Sequence, residues 1–160
     1  MKSVVGMKAQ LEHEAVEALR QTLSQISVVK TREIKIESDR HRAERTIIAQ
    51  VEIYGHLHWL VCKLARSCSP LELQNAFVEL RKLHAHFPGQ AIPVLIAPVL
   101  TEEAQKLCRD SNTGFLDLEG NARIYLDEVF IVKRSLTHKT LPPQAEKLPT
   151  SETARYAGIA

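Results

Sequence analysis

Residues 59–64, Trp-Leu-Val-Cys-Lys-Leu, make a nearly continuous apolar run, which reads as a central strand covered on both faces. Ser69-Pro70-Leu71-Glu72 follows and opens a helix well: a serine N-cap, a proline at the first helical position and a glutamate three residues after the cap. Leu73, Ala76, Phe77, Leu80, Leu83 and Phe87 supply its buried stripe, and Pro88-Gly89 stops it. Residues 92–99 then return as a second apolar strand, whose Pro93 and Pro98 suit its ends better than its middle. A strand, helix and strand in this order form a right-handed crossover. That commits the chain to a sheet with helices packed on it.

Elements on either side extend the pattern. Met7, Leu11, Ala15, Ala18, Leu19, Leu23 and Ile26 form a helical stripe, with Glu12, Glu14, Glu17 and Arg20 for the wet side. Residues 28–37 and 47–54 alternate apolar and polar side chains as half-buried strands, separated by the basic loop Ser38-Asp39-Arg40-His41-Arg42. Gly55 marks the turn out of the second strand. Thr101 caps a short helix carrying Glu102 and Glu103 in its first turn, ending near Asn112 or Gly114. The most distinctive run is Gly114-Phe115-Leu116-Asp117-Leu118-Glu119-Gly120-Asn121. There Leu116 and Leu118 alternate with Asp117 and Glu119, so two carboxylates are expected to project from the face opposite the buried leucines. Gly120-Asn121 supplies residues that tolerate positive φ in a hairpin turn. Residues 129–132 give a last strand. The expected architecture is α/β, a mixed sheet flanked by helices in the order α-β-β-β-α-β-α-β-β-β. It occupies residues 1–134, with 135–160 as a poorly structured tail.

Composition excludes several classes. Of 160 residues, 44% are hydrophobic and 25% charged, as in ordinary globular proteins. No apolar run reaches bilayer length, and no signal-peptide stretch follows the first six residues. A cytoplasmic location without membrane association is expected. The net charge of +2 implies no polyanion partner by itself. Cys62, Cys68 and Cys108 lack the paired spacings of a zinc site or disulfide framework and are expected as reduced thiols, mostly buried.

Val61-Cys62 followed by Ser67 and Pro70, the run Pro93-Val94-Leu95-Ile96-Ala97-Pro98, and above all residues 114–121 resemble bacterial proteins with a restriction-endonuclease-like PD-(D/E)XK domain. That resemblance covers roughly residues 4–134. It implies antitoxin-like or transcriptional-regulator-like proteins, DNA as a partner, and commonly a winged helix-turn-helix after the nuclease-like domain. An active member needs carboxylates on its second and third strands to hold Mg²⁺ and a lysine two residues further on. Aligned on Val61-Cys62 and Pro70, Lys63 stands where the glutamate is expected and Ala65 where the lysine is expected. By length, the second-strand aspartate falls near Ile47, with Glu44 and Glu52 the nearest acids. Two unit charges about 4 Å apart interact by roughly 4 kcal/mol at an effective dielectric near 20, and Mg²⁺ doubles this, so an ammonium there repels the ion. A buried lysine is rarely unpaired, and Glu52 on the neighbouring strand is its expected partner.

The leading expectation is therefore a catalytically silent nuclease-fold module with a binding or regulatory role, no cofactor and no metal, in which Lys63, Ala65, Asp117, Gly120 and Asn121 are the positions that the resemblance implies for the family motif. The alternative is a divergent Mg²⁺-dependent deoxyribonuclease whose carboxylates have migrated to Glu14 or Glu17, Glu52 and Asp117. A third expectation is a protein partner or homo-oligomer. For DNA, Arg40, Arg42 and Arg45 with His41 in one loop, and Arg81 and Lys82 on the second helix, could meet phosphates. Solvated loops and a wet helix face are the plainer reading. With aromatics at 5% of the chain, no ladder for stacking single strands is visible. His56, His58 and Cys62 could share a face for a metal, though exposed hairpin histidines are commoner; His84 and His86 point about 200° apart on their helix. After Arg134 no sequence-reading helix is expected, so any DNA contact should be made through phosphates.

Overall fold

The apolar run becomes β3 (His56–Leu64) and lies between β2 (Arg45–Ile53) and β4 (Ala91–Ala97), inside a seven-stranded sheet of order β1-β2-β3-β4-β5-β6-β7. The computed structural model describes residues 4–38, 45–87, 91–126 and 129–134. The remaining elements are α1 (Val4–Ser24), β1 (Val29–Ser38), α2 (Pro70–His84), α3 (Glu102–Asp110), β5 (Gly114–Asp117), β6 (Ala122–Leu126) and β7 (Val129–Lys133). This is the mixed α/β order that the residue pattern predicts. The expected tail at 135–160 lies outside the described residues.

β3 pairs with β4 and β4 with β5 in parallel, through α2 and α3; the other neighbours are antiparallel. Two successive crossovers of one hand, stepping the same way along a sheet, leave both helices on one face. Accordingly α2 packs on β3 and β4, and α3 on β5. Leu73, Ala76, Leu80, Ala104 and Cys108 meet Leu95, Ala97 and Phe115 there. On the opposite face Ala15, Leu19 and Leu23 of α1 meet Ala49, Leu60, Cys62, Ile96 and Ile124. The alternation within each strand thus divides it between two cores.

Helix boundaries follow the capping chemistry. Ser69 Oγ accepts from Glu72 N at 3.2 Å, with Pro70 just inside the helix, and Thr101 Oγ1 accepts from Ala104 N at 3.1 Å. α3 ends in a Schellman motif: Asn112 has φ 55, Thr113 N donates to Cys108 O at 2.8 Å and Asn112 N to Arg109 O at 3.1 Å. Pro93 sits inside β4 rather than at its end. A proline fits there because the pairing of β4 with β5 begins only at Val94 opposite Gly114, while the Pro93 carbonyl faces Gly114. The missing N–H would have pointed at an unpaired side.

Because α2 and α3 stop at β5, no helix among the described residues packs on the same face of β6 and β7. Ala122, Ile124 and Leu126 turn into the α1 core. Their neighbours Arg123 and Tyr125, with Phe130 on β7, are left on the uncovered side. This step in the helical layer forms one wall of a groove.

Candidate functional site

At the carboxyl ends of the parallel strands lie the positions that the nuclease resemblance singles out. Lys63 is 3% exposed and Ala65 1%. With Arg66, Ser69, Glu72 and Asn75 they line a cleft of about 190 Å³. Glu72, at the start of α2, accepts from Arg66 N at 3.1 Å and Ser67 Oγ at 3.2 Å, and its carboxylate lies 3.8 Å from the Arg66 guanidinium. It ties the β3–α2 loop to the helix. The expected Lys63–Glu52 pair does not form. Tyr54 (φ 51) and Gly55 (φ 82) make a two-residue hairpin turn, so each step back along β2 is one step forward along β3. Glu52 therefore faces Leu57 and Lys63 faces Thr46, six residues apart, or about 20 Å along the strand. Glu52 instead pairs with Arg32 at 3.5 Å.

Asp117 corrects a second expectation. It does not project to solvent beside Glu119; it is 1% exposed. Its Oδ1 accepts from Glu119 N at 3.0 Å and Asn121 N at 2.8 Å, and its Oδ2 from Asn121 Nδ2 at 2.9 Å and Leu100 N at 3.2 Å. In return Asp117 N donates to Asn121 O at 2.9 Å. Gly120 takes φ 105 to close the turn, whereas Asn121 needs no positive φ. The alternation placed Asp117 on the correct side of the strand, but that side is the core beneath α3.

The candidate carboxylates do not converge. Glu14, which accepts from Gln10 Nε2 at 3.0 Å, and Glu17, 3.7 Å from Arg20, are exposed on α1. That helix covers the face opposite Asp117. Glu52 pairs across from Leu57, while Asp117 pairs with Ala97, next to Ala65 of the β3 end. Eight residues of β3 separate those levels, about 26 Å. Mg²⁺ chemistry of the PD-(D/E)XK kind therefore does not fit these residues. Among the described residues no three His, Cys, Asp or Glu side chains are grouped to hold a metal. His56 is exposed, but His58 and Cys62 are buried, so the hairpin histidines are not both surface groups.

Of the expected phosphate contacts, Arg40 and Arg42 lie outside the described residues; Arg45 opens β2, with its side chain also outside them. Arg81 and Lys82 are exposed in the last turn of α2. Arg81 turns into the groove at the other end of the strands.

That groove runs beneath the carboxyl ends of α2 and α3, along the amino ends of β4 and β5. It consists of two hollows of about 600 and 710 Å³ that share Pro93, Asn112 and Thr113. The first is walled by Arg109 on α3 and by Arg123, Tyr125 and Phe130 on β6 and β7; the second holds Arg81, His84 and Phe77 of α2. Among the described residues neither lining contains a carboxylate. His84 Nε2 donates to Ala91 O at 2.9 Å, fixing the helix end to the strand. Gly114 is required by close approach: a Cβ there would sit 3.2 Å from Arg123 O and 3.4 Å from Pro93 O.

Arg123 dominates the electrostatics. Its guanidinium lies 4.6 Å from the centre of the Phe130 ring, a cation–π contact. Phe130 in turn meets Tyr125 edge to face, at 5.4 Å and 87°. Burial first, and the nearby Arg109 charge second, push the Arg123 pKa below its ordinary value. Among the described residues neither arginine has a carboxylate partner. An anion in this groove would answer both the desolvation and the repulsion. Sequence reasoning missed Arg109, Arg123, Tyr125 and Phe130. The available signal was the unpatterned polar side of residues 122–126, which no helix among the described residues covers.

No protein-family model matches this chain, and no curated protein does. Among solved structures it is similar to one described as EndoMS in apo form, with 14% identity, a TM-score of 0.42, and coverage of 64% of this chain and 45% of that one. The chain thus spans less than half the length of that protein. Among the described residues, no helix is long and apolar enough to cross a membrane.

Proposed function

We propose that this chain is a non-catalytic module of nuclease-like architecture that binds the phosphates of nucleic acid in the groove at the amino ends of β4 and β5, in the service of a regulatory, antitoxin-like role. One observation carries the reading: Arg109 and Arg123 line one hollow without a carboxylate partner among the described residues. Structural arginines are ordinarily neutralised; two guanidinium groups lining one groove with no carboxylate partner among the described residues are suited to an anion supplied by a ligand. Arg81 extends the same sign along the groove. Silence in catalysis is supported by the scatter of Glu14, Glu17, Glu52 and Asp117 and by the commitment of both Asp117 oxygens to N–H groups.

The test is a binding and cleavage assay on plasmid and short oligonucleotides, with and without Mg²⁺, at two salt concentrations. Binding that weakens steeply with salt, and loses about one unit of the log–log salt slope in Arg109→Gln, is the expected result. Mg²⁺-dependent cleavage abolished by Glu52→Ala would establish the nuclease alternative instead. Salt-insensitive binding to one sequence would contradict recognition through phosphates.

A further inference from the structure

The groove's two arginines differ in reach, and that difference indicates what form of nucleic acid the groove holds. Arg109 is exposed on the rim, whereas Arg123 is half-buried against Phe130. A duplex presents its phosphates on a wide convex surface, which can meet the rim but cannot bring a phosphate down to Arg123. A single nucleotide unit can enter, since a hollow of about 600 Å³ lies in the ordinary range for sites that take small organic ligands. Beside Arg123 stands Tyr125, 65% exposed, and held by its edge-to-face contact with Phe130. An exposed aromatic ring whose position is fixed by a neighbour is a ready stacking surface. Its function is not explained by packing, because the buried side of β6 is supplied by Ala122, Ile124 and Leu126.

We infer that the groove takes an unpaired nucleotide of a nucleic-acid strand, its base stacked on Tyr125 and its phosphate held between Arg109 and Arg123. This rests on the phosphate-binding reading above and specifies its ligand: single-stranded segments, overhangs or frayed ends bind in preference to intact duplex. Stacking on an aromatic ring tolerates every base. The groove therefore discriminates strand state and not sequence.

The experiment measures fluorescence anisotropy of the full chain with four labelled probes: a single-stranded 12-mer, the same 12-mer as a blunt duplex, an abasic 12-mer that keeps its phosphates, and a mononucleotide. The 12-mer should bind at least tenfold more tightly than the abasic strand and the duplex, and the mononucleotide more weakly than the 12-mer. Tyr125→Ala should lose about 5- to 100-fold on the 12-mer and leave the abasic strand unchanged, with Tyr125→Phe retaining the preference. Arg123→Gln should weaken the 12-mer and the abasic strand alike. Equal binding of the 12-mer, duplex and abasic strand, all weakened by Arg109→Gln, would overturn the unpaired-nucleotide inference and leave phosphate binding standing. Absence of binding to every probe would overturn both. A mononucleotide that binds as tightly as the 12-mer would overturn the assignment to a strand. Thermal melts of each variant confirm that the compared proteins are folded.

Discussion

At the carboxyl ends of β3–β5, Glu72 secures the loop before α2 and Asp117 accepts from four N–H groups, three in the β5–β6 turn and that of Leu100 before α3. At the amino ends of β4 and β5, Arg109 and Arg123 line a groove without such partners among the described residues. In open α/β sheets, ligands ordinarily bind outside the carboxyl ends of the strands. Here that end is consumed by architecture. The difference arises from the helical layer: among the described residues α2 and α3 cover β3–β5 and no helix covers β6–β7, so polar and aromatic side chains collect at the step. A charged side chain marks a working site when its charge is left over after the fold has been satisfied.

The largest expected effect separates the two ends by stability. Asp117→Ala strands the buried backbone N–H of Leu100 and the part-buried N–H groups of Glu119 and Asn121 and should cost about 3 kcal/mol in urea unfolding. The protein that remains folded should bind nucleic acid as before. Loss of binding without loss of stability would move the site to the carboxyl end.

The converse experiment is the next largest. Arg109→Gln and Arg123→Gln should each reduce affinity for single-stranded DNA about tenfold at low salt, with little change in stability. Arg123→Gln forfeits about 0.5–1 kcal/mol of cation–π energy but removes repulsion with Arg109 and a desolvation cost. An unchanged affinity in both variants would dissolve the contrast between the ends.

How much of this was legible in the sequence depended on the range of the interaction involved. The strand–helix–strand unit could be read because Ser69, Pro70 and Glu72 act within one helical turn and the apolar run of β3 has a single physical use. The serine and threonine caps are in place as expected. The Lys63–Glu52 pairing failed on register, which the Tyr54-Gly55 turn fixes: a two-residue turn there places residue 52 opposite 57. Asp117 was assigned the correct face by alternation, yet whether that face is wet depends on the preceding helix, α3, folding over it. The groove was hardest to read, because Arg109, Arg123 and Phe130 belong to separate elements and meet only through the sheet. An aromatic content of 5% conceals the fact that Tyr125 and Phe130 are brought together across β6 and β7.

The smallest effects lie in the cores between the ends. Burial pushes the Cys62 thiol far above its ordinary value, and burial, then the neighbouring Cys68, pushes Cys108 up to about 12. Both raised values favour the neutral thiol in the folded state. Their contribution to stability should be intact below the ordinary thiol pKa of 9.0 and be lost as pH rises from there toward 12. Alkylation of native protein at pH 8 should modify Cys68, which is half-buried, well before Cys62 or Cys108. Early modification of Cys108 would show that α3, and with it the Arg109 wall, opens readily.

The central claim is that the amino-end groove, and not the carboxyl-end cleft of Lys63, is where this protein meets its ligand. Titration of the isotopically labelled protein with a single-stranded 12-mer, followed by amide chemical shifts, tests it directly. Shifts concentrated at Asn112, Thr113, Gly114, Arg123 and Tyr125, with Ala65, Arg66 and Glu72 unmoved, are the predicted result; shifts centred on Ala65, Arg66 and Glu72 would contradict it.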